Sequence, residues 1–204
     1  MCCRWIGPVW GDGAPDSFEQ LLSTKNFNKV WLQFSNKRDG KLSETWKVVK
    51  GENGDDDFLI CTGNPSGYLR TIKQYDNFEF RMEWKYPDLN DPNCNSGILM
   101  HTSGADKIWP KAIQLQLHRP TAGNIFATGG AKTENMLNVK NLKLAVNQWH
   151  DCAITSKDGT ISVKINGKQV GEVTGCVPRK GSIALQSEGS EIHFRKIEIR
   201  ELKQ

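Results

Sequence analysis

The sequence lacks the features that would assign it at once to several large functional classes. No stretch approaches the roughly 18 consecutive apolar residues of a membrane-spanning helix, and the N-terminal MCCRWIGPVWGDGAPDSF has no continuous apolar stretch like that of a signal peptide. Gly-x-Ser-x-Gly, P-loop and Gly-rich dinucleotide motifs are missing, which argues against acyl transfer by a nucleophilic serine and against nucleotide chemistry. The net charge of +4 is spread along the chain, so no nucleic-acid or membrane surface is predicted.

The cysteines likewise lack the spacing of a metal site. They are Cys2, Cys3, Cys61, Cys94, Cys152 and Cys176. No Cys-x-x-Cys pair and no Cys/His ligand spacing occurs among them, so a zinc site is not predicted. A domain of this size does not need disulfides, and we expect Cys61 and Cys152 to be buried free thiols. Cys94 lies in a turn, where its thiol could be exposed.

Alternation of apolar and polar side chains is present instead, and it predicts β-strands. In NFEFRMEWKYP, every second side chain from Phe78 to Tyr86 is apolar and those between them are charged. This strict period of two is expected for a half-buried antiparallel strand. Residues 17–36 have an apolar pattern that fits either a short helix or a pair of strands, and both alternatives stay open.

Two local patterns near the C-terminus predict a hairpin and a β-bulge. In TISVKINGKQVGEV, the dipeptide Asn166-Gly167 predicts the turn of a hairpin. In EIHFRKIEIREL, the apolar phase changes between Phe194 and Ile197, which predicts a bulge around Lys196 and the preceding arginine. Many short strands separated by turn signals, without a long helical pattern, predict an all-β antiparallel sandwich. We expect one domain over residues 17–204, preceded by an irregular arm at residues 1–16.

One predicted strand carries an unusual polar face. In KAIQLQLH, Gln114 and Gln116 are two residues apart and therefore share a face, and His118 continues that face. Glutamine is not a favoured strand residue and is costly to bury without partners. The pattern indicates a concave face that hydrogen-bonds a ligand, with a solvent-facing sheet surface as the alternative. His118 is a candidate base or hydrogen-bond donor.

Other residues could contribute to the same chemistry. In NCNSGILMHTSG, Asn95 lies in a turn and His101 lies on the following strand, where its imidazole could transfer protons near neutral pH. A structural histidine in the core is the alternative. Arg70 in GYLRT offers a planar donor fork for a carbonyl or hydroxyl oxygen, unless it is an ordinary surface arginine. In LQSEG, Gln186 and Glu188 share a face, and Glu188 is the best-placed carboxylate for acid or base catalysis, unless it is a solvated turn residue.

Two loops rich in side-chain oxygen atoms raise the question of a metal. DLNDPNCN, residues 88–95, and ENGDDD, residues 52–57, could hold calcium, although neither follows the EF-hand pattern. We therefore name no metal ligand and no certain cofactor. A divalent metal such as calcium remains an alternative as a bound cofactor.

The residues alone suggest a sugar-binding face, because Gln, Asn, Arg and Trp suit sugar hydroxyls. An ordered set of motifs adds to this. The motifs are GYLRT, YDNFEF, NSGI, the Gln-x-Gln strand, NQWHD, INGKQV and IALQSEGSEIHFRKIEIREL. Together, from about residue 17 to the C-terminus, they resemble the 3-keto-disaccharide hydrolase domain family, and DKIWPKAIQLQLH resembles a bacterial branch of it. The resemblance implies a concanavalin A-like jelly roll of two antiparallel sheets.

The resemblance also implies action on glycosides that are already oxidised at C3 of a sugar ring. A 3-keto group acidifies the C2 proton, so a base can remove it and the anomeric substituent can then be expelled. We expect proton transfer from His101, His118 or Glu188. Residues expected to hold keto and hydroxyl oxygens are Arg70, Asn95, Gln114, Gln116 and Gln186.

One departure from the family pattern concerns Gln114, where the family usually has a glutamate. Glutamine binds sugars but cannot accept a proton, which favours a lectin-like module that binds glycan on the same face without cleaving it. A third alternative is a laminin-G-like sandwich that binds proteins. The resemblance further implies export to the periplasm or outside, which the visible N-terminus does not indicate, and an oxidoreductase that works in the same pathway.

Overall fold

The fold is seen in a computed structural model that describes residues 17–25, 27–37, 40–51, 56–87, 90–140 and 142–203. The predicted N-terminal arm, Cys2 and Cys3 lie outside the described residues. Residues 52–55 and 88–89, which belong to the two oxygen-rich loops, also lie outside them. No helix within the described ranges is long and apolar enough to cross a membrane.

The regular secondary structure of the described chain consists almost entirely of strands. The strands are β1 (Glu19–Gln20), β2 (Trp31–Ser35), β3 (Trp46–Val49), β4 (Phe58–Cys61), β5 (Gly67–Thr71), β6 (Phe78–Lys85), β7 (Gly97–Ser103), β8 (Lys111–Gln116), β9 (Ile125–Thr128), β10 (His150–Lys157), β11 (Thr160–Ile165), β12 (Lys168–Val173), β13 (Ser182–Ser187) and β14 (Ile192–Glu201). The helices among the described residues are α1 (Phe27–Val30), α2 (Leu42–Thr45) and a 3-10 turn at Arg119–Thr121.

The strands form two antiparallel sheets. The larger sheet has the order β12-β11-β10-β6-β14-β4-β3, with β1 paired to β14, and the smaller has the order β2-β5-β13-β7-β8-β9. Consecutive strands often lie in different sheets, so the chain passes repeatedly between the two layers. The fold is a concanavalin A-like jelly-roll sandwich, and the predicted fold class is confirmed.

The core lies between the two sheets and is formed by their inward faces. On β6, the side chains of Phe78, Phe80, Met82 and Trp84 are at most 2% exposed, as the alternation predicts. They meet the inward side chains of the smaller sheet, such as Leu115. Full burial of an apolar side chain of this size contributes about 1.5–3 kcal/mol to folding, so this strand anchors the sandwich.

The hairpin and the bulge are both confirmed. Asn166 and Gly167 have φ of 50° and 71° between β11 and β12, which is the left-handed geometry of a type I′ turn. On β14, the pairing with β6 shifts between Arg195 and Glu198, and Lys196 has φ of 50°. The change of apolar phase in the sequence therefore marked a real extra residue in the strand.

The segment 17–36 combines the two alternatives left open by its sequence. β1 pairs with β14 in the larger sheet, a single helical turn follows as α1, and β2 pairs with β5 in the smaller sheet. The two strands do not pair with each other, because this segment crosses from one sheet to the other.

The four described cysteines are buried and free. This confirms the prediction for Cys61 and Cys152. Cys94 is not exposed as its turn allowed, because this turn packs against the β13–β14 connection. Its side chain is 2% exposed and its Sγ donates to the carbonyl oxygen of Glu191 at 3.2 Å. Burial raises the pKa of the Cys94 thiol to about 12.

Candidate active site

The polar face predicted from the Gln-x-Gln strand is the outer face of the smaller sheet. Neighbouring strands pair Leu99 with Gln114, Gly97 with Gln116, and Gln186 with Tyr68. Because side chains alternate along each strand, these residues all project from the same face. The sheet therefore gathers three glutamines from two separate parts of the chain.

The three glutamine amides form a hydrogen-bonded cluster. Gln114 donates from Nε2 to Oε1 of Gln116 at 3.1 Å and to Oε1 of Gln186 at 3.4 Å. Gln114 is 2% exposed and Gln186 is 4% exposed. Oε1 of Gln114 is buried and has no hydrogen-bond partner in the described part of the chain. An unpaired buried acceptor costs about 1–3 kcal/mol, and such atoms concentrate at functional sites.

Gly97 makes room for this cluster, and sequence reasoning gave it no role. A Cβ at this position would lie 2.9 Å from both Nε2 of Gln114 and Oε1 of Gln186. The glycine φ lies outside the left-handed region, so the requirement is for space and not for backbone freedom.

Gly97→Ala is therefore expected to displace the amides of Gln114 and Gln186. Because the atoms that must move are the ends of flexible side chains, the free energy of unfolding should change by less than about 1 kcal/mol. The side-chain amide resonances of the two glutamines in ¹⁵N-labelled protein report the displacement, and thermal unfolding reports the stability. Unchanged amide resonances would show that the glycine is not needed for this geometry.

Glu188, Asn95 and His118 lie in a row across one end of the same face. Continuing the register of β13, β7 and β8 by one or two residues places Asn95 between Glu188 and His118. A hydrogen bond from the backbone N–H of Arg119 to the carbonyl oxygen of Cys94 supports this alignment. Strands are about 4.8 Å apart, so the backbones of Glu188 and His118 are separated by roughly 10 Å across the sheet.

The carboxyl group in this row has a pKa that burial raises. Glu188 is half-buried, and burial raises its pKa above the usual carboxyl value, although a hydrogen bond with the Asn95 side chain opposes the rise. A carboxyl group with a raised pKa is suited to act as an acid near neutral pH. Oδ1 of Asn95 is buried without a partner among the described residues, so it is a second unused acceptor at this end of the face.

The imidazole in this row is held by one neighbour. Nδ1 of His118 lies 3.0 Å from Oγ1 of Thr121 in the 3-10 turn that follows β8. If Nδ1 carries the proton and donates it to the hydroxyl, Nε2 has a lone pair for a ligand proton. Both proton-transfer candidates at this end therefore flank one asparagine.

Arg70 lies on the same face, but a carboxylate that sequence reasoning missed holds its guanidinium. Its Nε and Nη2 atoms donate to Oδ1 and Oδ2 of Asp106 at 3.0 and 3.1 Å. Tyr68 donates its hydroxyl to Oδ1 of Asp106 at 2.8 Å. Asp106 lies in the β7–β8 loop and is 36 residues from Arg70, so no spacing in the sequence signals the contact.

The ionisation of Asp106 follows from these contacts. Burial raises the pKa of Asp106, but hydrogen bonds from Arg70 and Tyr68 and the charge of Arg70 outweigh burial, so the net pKa is lowered. The pair ties the β7–β8 loop across the face to β5. Arg70 therefore holds the loop in place with two of its donors.

Asp106→Ala is expected to lower the free energy of unfolding by about 0.5–1.5 kcal/mol, because it removes a partly exposed ion pair with Arg70 and the hydrogen bond from the Tyr68 hydroxyl. Asp106→Asn keeps one acceptor oxygen and should lose about half as much. Urea unfolding of the two variants and the wild type measures the difference. Equal stability of all three would mean that the loop tether contributes nothing.

His101 does not reach this face, contrary to the expectation from its strand. Its side chain is 1% exposed, lies between the sheets, and contacts Oγ of Ser156 on β10 through Nε2 at 2.9 Å. The physical reason is a bulge: the pairing of β7 shifts between Met100 and Ser103, and His101 has φ of 54°. The extra residue turns the imidazole inward, so the structural alternative holds.

A metal centre is not visible in the described part of the chain. Within it, no group of three or more His, Cys, Asp and Glu side chains could hold a metal ion. Glu188 is on this face with amides and one imidazole, and its carboxyl group hydrogen-bonds with the Asn95 side chain.

Most of the chain matches a known protein family. Residues 25–200 match the 3-keto-alpha-glucoside-1,2-lyase-like domain family. The chain belongs to this family. The resemblance seen in the ordered motifs is thereby confirmed, and the protein has a carbohydrate-related function. No curated protein matches the chain significantly.

Solved structures similar to this lyase-like domain agree in fold. A candidate glycosyl hydrolase from Parabacteroides distasonis ATCC 8503 has a TM-score of 0.66 at 20% identity, covering 92% of this chain and 100% of that one. The carbohydrate-binding module CBM66 from Bacillus subtilis has a TM-score of 0.59 at 10% identity, covering 84% and 95%. A Bacillus licheniformis β-glucanase has a TM-score of 0.56 at 15% identity, covering 95% and 100%. At these identities the likeness shows the jelly-roll fold alone.

Proposed function

We propose that this protein is a glycoside-cleaving enzyme that acts on sugars already oxidised at C3. The observation that carries the proposal is the row in which Glu188 and His118 flank Asn95, next to the glutamine cluster on the same face. Membership of the lyase-like family supports the substrate class. Glu188 and His118 then provide an acid and a base on the polar face, separated by about the width of a sugar ring.

The proposed reaction is an elimination followed by addition of water. His118 removes the C2 proton, and the electron pair forms an enolate whose negative charge lies on the C3 oxygen. As the C3 carbonyl re-forms, a double bond appears between C1 and C2, the C1–oxygen bond breaks, and Glu188 gives its proton to the leaving oxygen. Water then adds its hydroxyl to C1 and its proton to Glu188, while His118 returns its proton to C2.

The geometry supports these roles. A separation of roughly 10 Å between the backbones of Glu188 and His118 leaves room for a sugar ring above Asn95. The neighbouring amides supply hydrogen-bond donors for the enolate oxygen, where charge develops.

The decisive experiment is turnover of a 4-nitrophenyl 3-keto-glucoside compared with the unoxidised 4-nitrophenyl glucoside. Nitrophenol should be released from the keto substrate only, because the C2 proton of the parent sugar is not acidified. Equal turnover of both sugars would rule out elimination. Loss of activity in the presence of a chelator would add a divalent metal to this scheme.

A second candidate function is glycan binding without cleavage, and the uncharged Gln114 at the centre of the glutamine cluster favours it. Calorimetric binding of an unoxidised oligosaccharide, together with no nitrophenol release over days, would support this second function. A protein-binding sandwich predicts no sugar affinity at all, and it leaves the glutamine cluster without a purpose.

A further inference from the structure

A cavity of about 380 Å³ lies on the outer face of the larger sheet, away from the polar face. Trp84 and Phe194 are fully buried in the core. Because side chains alternate along a strand, the residues that follow them, Lys85 and Arg195, project from the outer face, and both line this cavity. Ligand sites in proteins commonly enclose about 300–1,000 Å³. The cavity is therefore large enough for a small ligand and is separated from the glutamine cluster by the thickness of the sandwich.

Aromatic side chains form one wall of this cavity. The indole of Trp149, just before β10, packs edge-on against the ring of Phe58 on β4, with ring centroids 6.4 Å apart. The guanidinium carbon of Arg195 lies 4.2 Å from the centre of the indole, and Nζ of Lys85 lies 5.0 Å from it. Such cation–π contacts favour one orientation of the ring. Trp149 is only partly buried, so part of its indole is accessible to a ligand.

The charges around the cavity leave Lys85 without a carboxylate partner. Arg195 and Lys196 both bind Glu83, with Nε and Nζ at 2.6 and 2.9 Å from its oxygen atoms, and Lys196 also lies 3.7 Å from Asp56. These four charges balance one another. The ammonium group of Lys85 forms no ion pair or hydrogen bond with any described residue, although its side chain is partly buried beside the indole. Its three N–H donors are therefore available to a ligand.

We propose that this cavity is a second carbohydrate site, independent of the proposed cleavage, and that it binds a uronic acid residue of a glycan. A uronate ring has an apolar face of C–H groups that fits against the accessible indole of Trp149. Its carboxylate accepts charge-assisted hydrogen bonds from Lys85. Lys50, which lines the same cavity and has no ion pair among the described residues, adds a second positive charge. A neutral sugar would fill the space but would leave Lys85 without a counter-charge.

The binding groups are in place before a ligand arrives. Arg195 is bound to Glu83 through Nε, and its guanidinium supports the indole of Trp149. The indole in turn lies beside the ammonium group of Lys85. Groups that are already oriented lose less conformational entropy on binding. Arg195 therefore acts as a support for the aromatic wall, and Lys85 supplies the donors for the carboxylate.

The test compares two disaccharides that differ in one group. Cellobiouronic acid has a carboxylate where cellobiose has a hydroxymethyl group, and neither sugar is oxidised at C3. Calorimetry with the wild type should give a dissociation constant about 10-fold lower for the acidic disaccharide, because a hydrogen bond between charged groups is roughly twice as strong as a neutral one. The difference should shrink as the salt concentration is raised, because salt screens partly exposed charges.

Three variants locate the binding in this cavity. Lys85→Met keeps the length of the side chain and removes its charge, so it should bind both disaccharides alike. Trp149→Ala removes the aromatic wall and should weaken the binding of both by about 10-fold. Lys164→Met makes the same charge change at an exposed position on β11 of the same sheet and should keep the wild-type preference. Trp149→Ala should release nitrophenol from the 3-keto-glucoside as fast as the wild type, because the two sites lie on opposite faces.

A readout on the unsubstituted protein decides the question if a variant does not fold. In ¹⁵N-labelled wild type, the indole N–H resonance of Trp149 should shift when cellobiouronic acid is added. A Trp149 resonance that does not move, equal affinities of the wild type for the two disaccharides, or an unchanged preference in Lys85→Met overturns the second site. Failure of the wild type to cleave the 3-keto-glucoside would overturn the proposed function alone, because binding of an unoxidised disaccharide does not depend on cleavage.

Discussion

Glu188→Gln is expected to lower kcat on a 3-keto-glucoside by about 10²–10⁴-fold, the range found when a general acid or base is removed. The glutamine keeps the size of the side chain and can still hydrogen-bond with Asn95, but it has no proton to give to the leaving oxygen. KM should change little, because binding of the sugar depends on the neighbouring amides. Steady-state kinetics with the nitrophenyl substrate measure both constants.

The pH dependence provides a separate check on Glu188. In the proposed reaction its carboxyl group must be protonated, so activity is present below its pKa and is lost as the pH rises through it. Burial raises that pKa, which moves this loss of activity to higher pH than for an ordinary glutamate. The residual activity of Glu188→Gln should lack this alkaline decline. A pH profile of kcat for both proteins shows the difference.

The matched control is Glu172→Gln on β12, an exposed glutamate of the larger sheet. It makes the same change of charge far from the row and should retain wild-type activity. Circular dichroism spectra and thermal unfolding of both variants exclude a folding defect. Full activity of Glu188→Gln with an intact fold would remove Glu188 from the reaction and leave the leaving group without its proposed acid.

The second large effect concerns His101 and the stability of the fold in acid. Burial lowers the pKa of His101 to about 4 from 6.5, so the unfolded chain takes up this proton before the folded one. The stability associated with the neutral imidazole is complete above about pH 6.5 and is lost as the pH falls toward about 4. The shift corresponds to a loss of about 3 kcal/mol over that interval.

His101→Gln should remove this contribution to acid sensitivity. At neutral pH the variant should be less stable by about 1–2 kcal/mol, because the ring no longer packs against Phe78, at a centroid distance of 5.5 Å. Its free energy of unfolding should then fall less steeply than that of wild type between pH 6.5 and 4. Urea unfolding at several pH values measures the two curves.

A second variant separates titration from packing. Ser156→Ala keeps the buried imidazole and removes its hydrogen-bond partner on β10, so it should lose about 1 kcal/mol at neutral pH. Because the imidazole is still buried, the free energy of unfolding of this variant should still fall steeply as the pH is lowered. Parallel curves for wild type and His101→Gln would show that His101 is not the group responsible.

Local patterns in the sequence were sufficient to predict the fold class. The alternation from Phe78 to Trp84, the Asn166-Gly167 turn and the change of phase near Lys196 each depend on a few neighbouring residues, and each is found in the structure. Such patterns survive in the fold because one face of each strand must be buried, and the side chains of a strand alternate between its faces. The polar face of the Gln-x-Gln strand follows from the same rule.

The site required the tertiary structure. Strict alternation along β7 would put His101 on the polar face, and a one-residue bulge turned it into the core. Asp106 meets Arg70 only because the β7–β8 loop crosses the face, and Asn95 lies between Glu188 and His118 only through the register of three strands. The sequence by itself determined which side chains alternate and where turns occur. Pairing between distant strands decided which of those side chains meet, because register depends on contacts that no local pattern encodes.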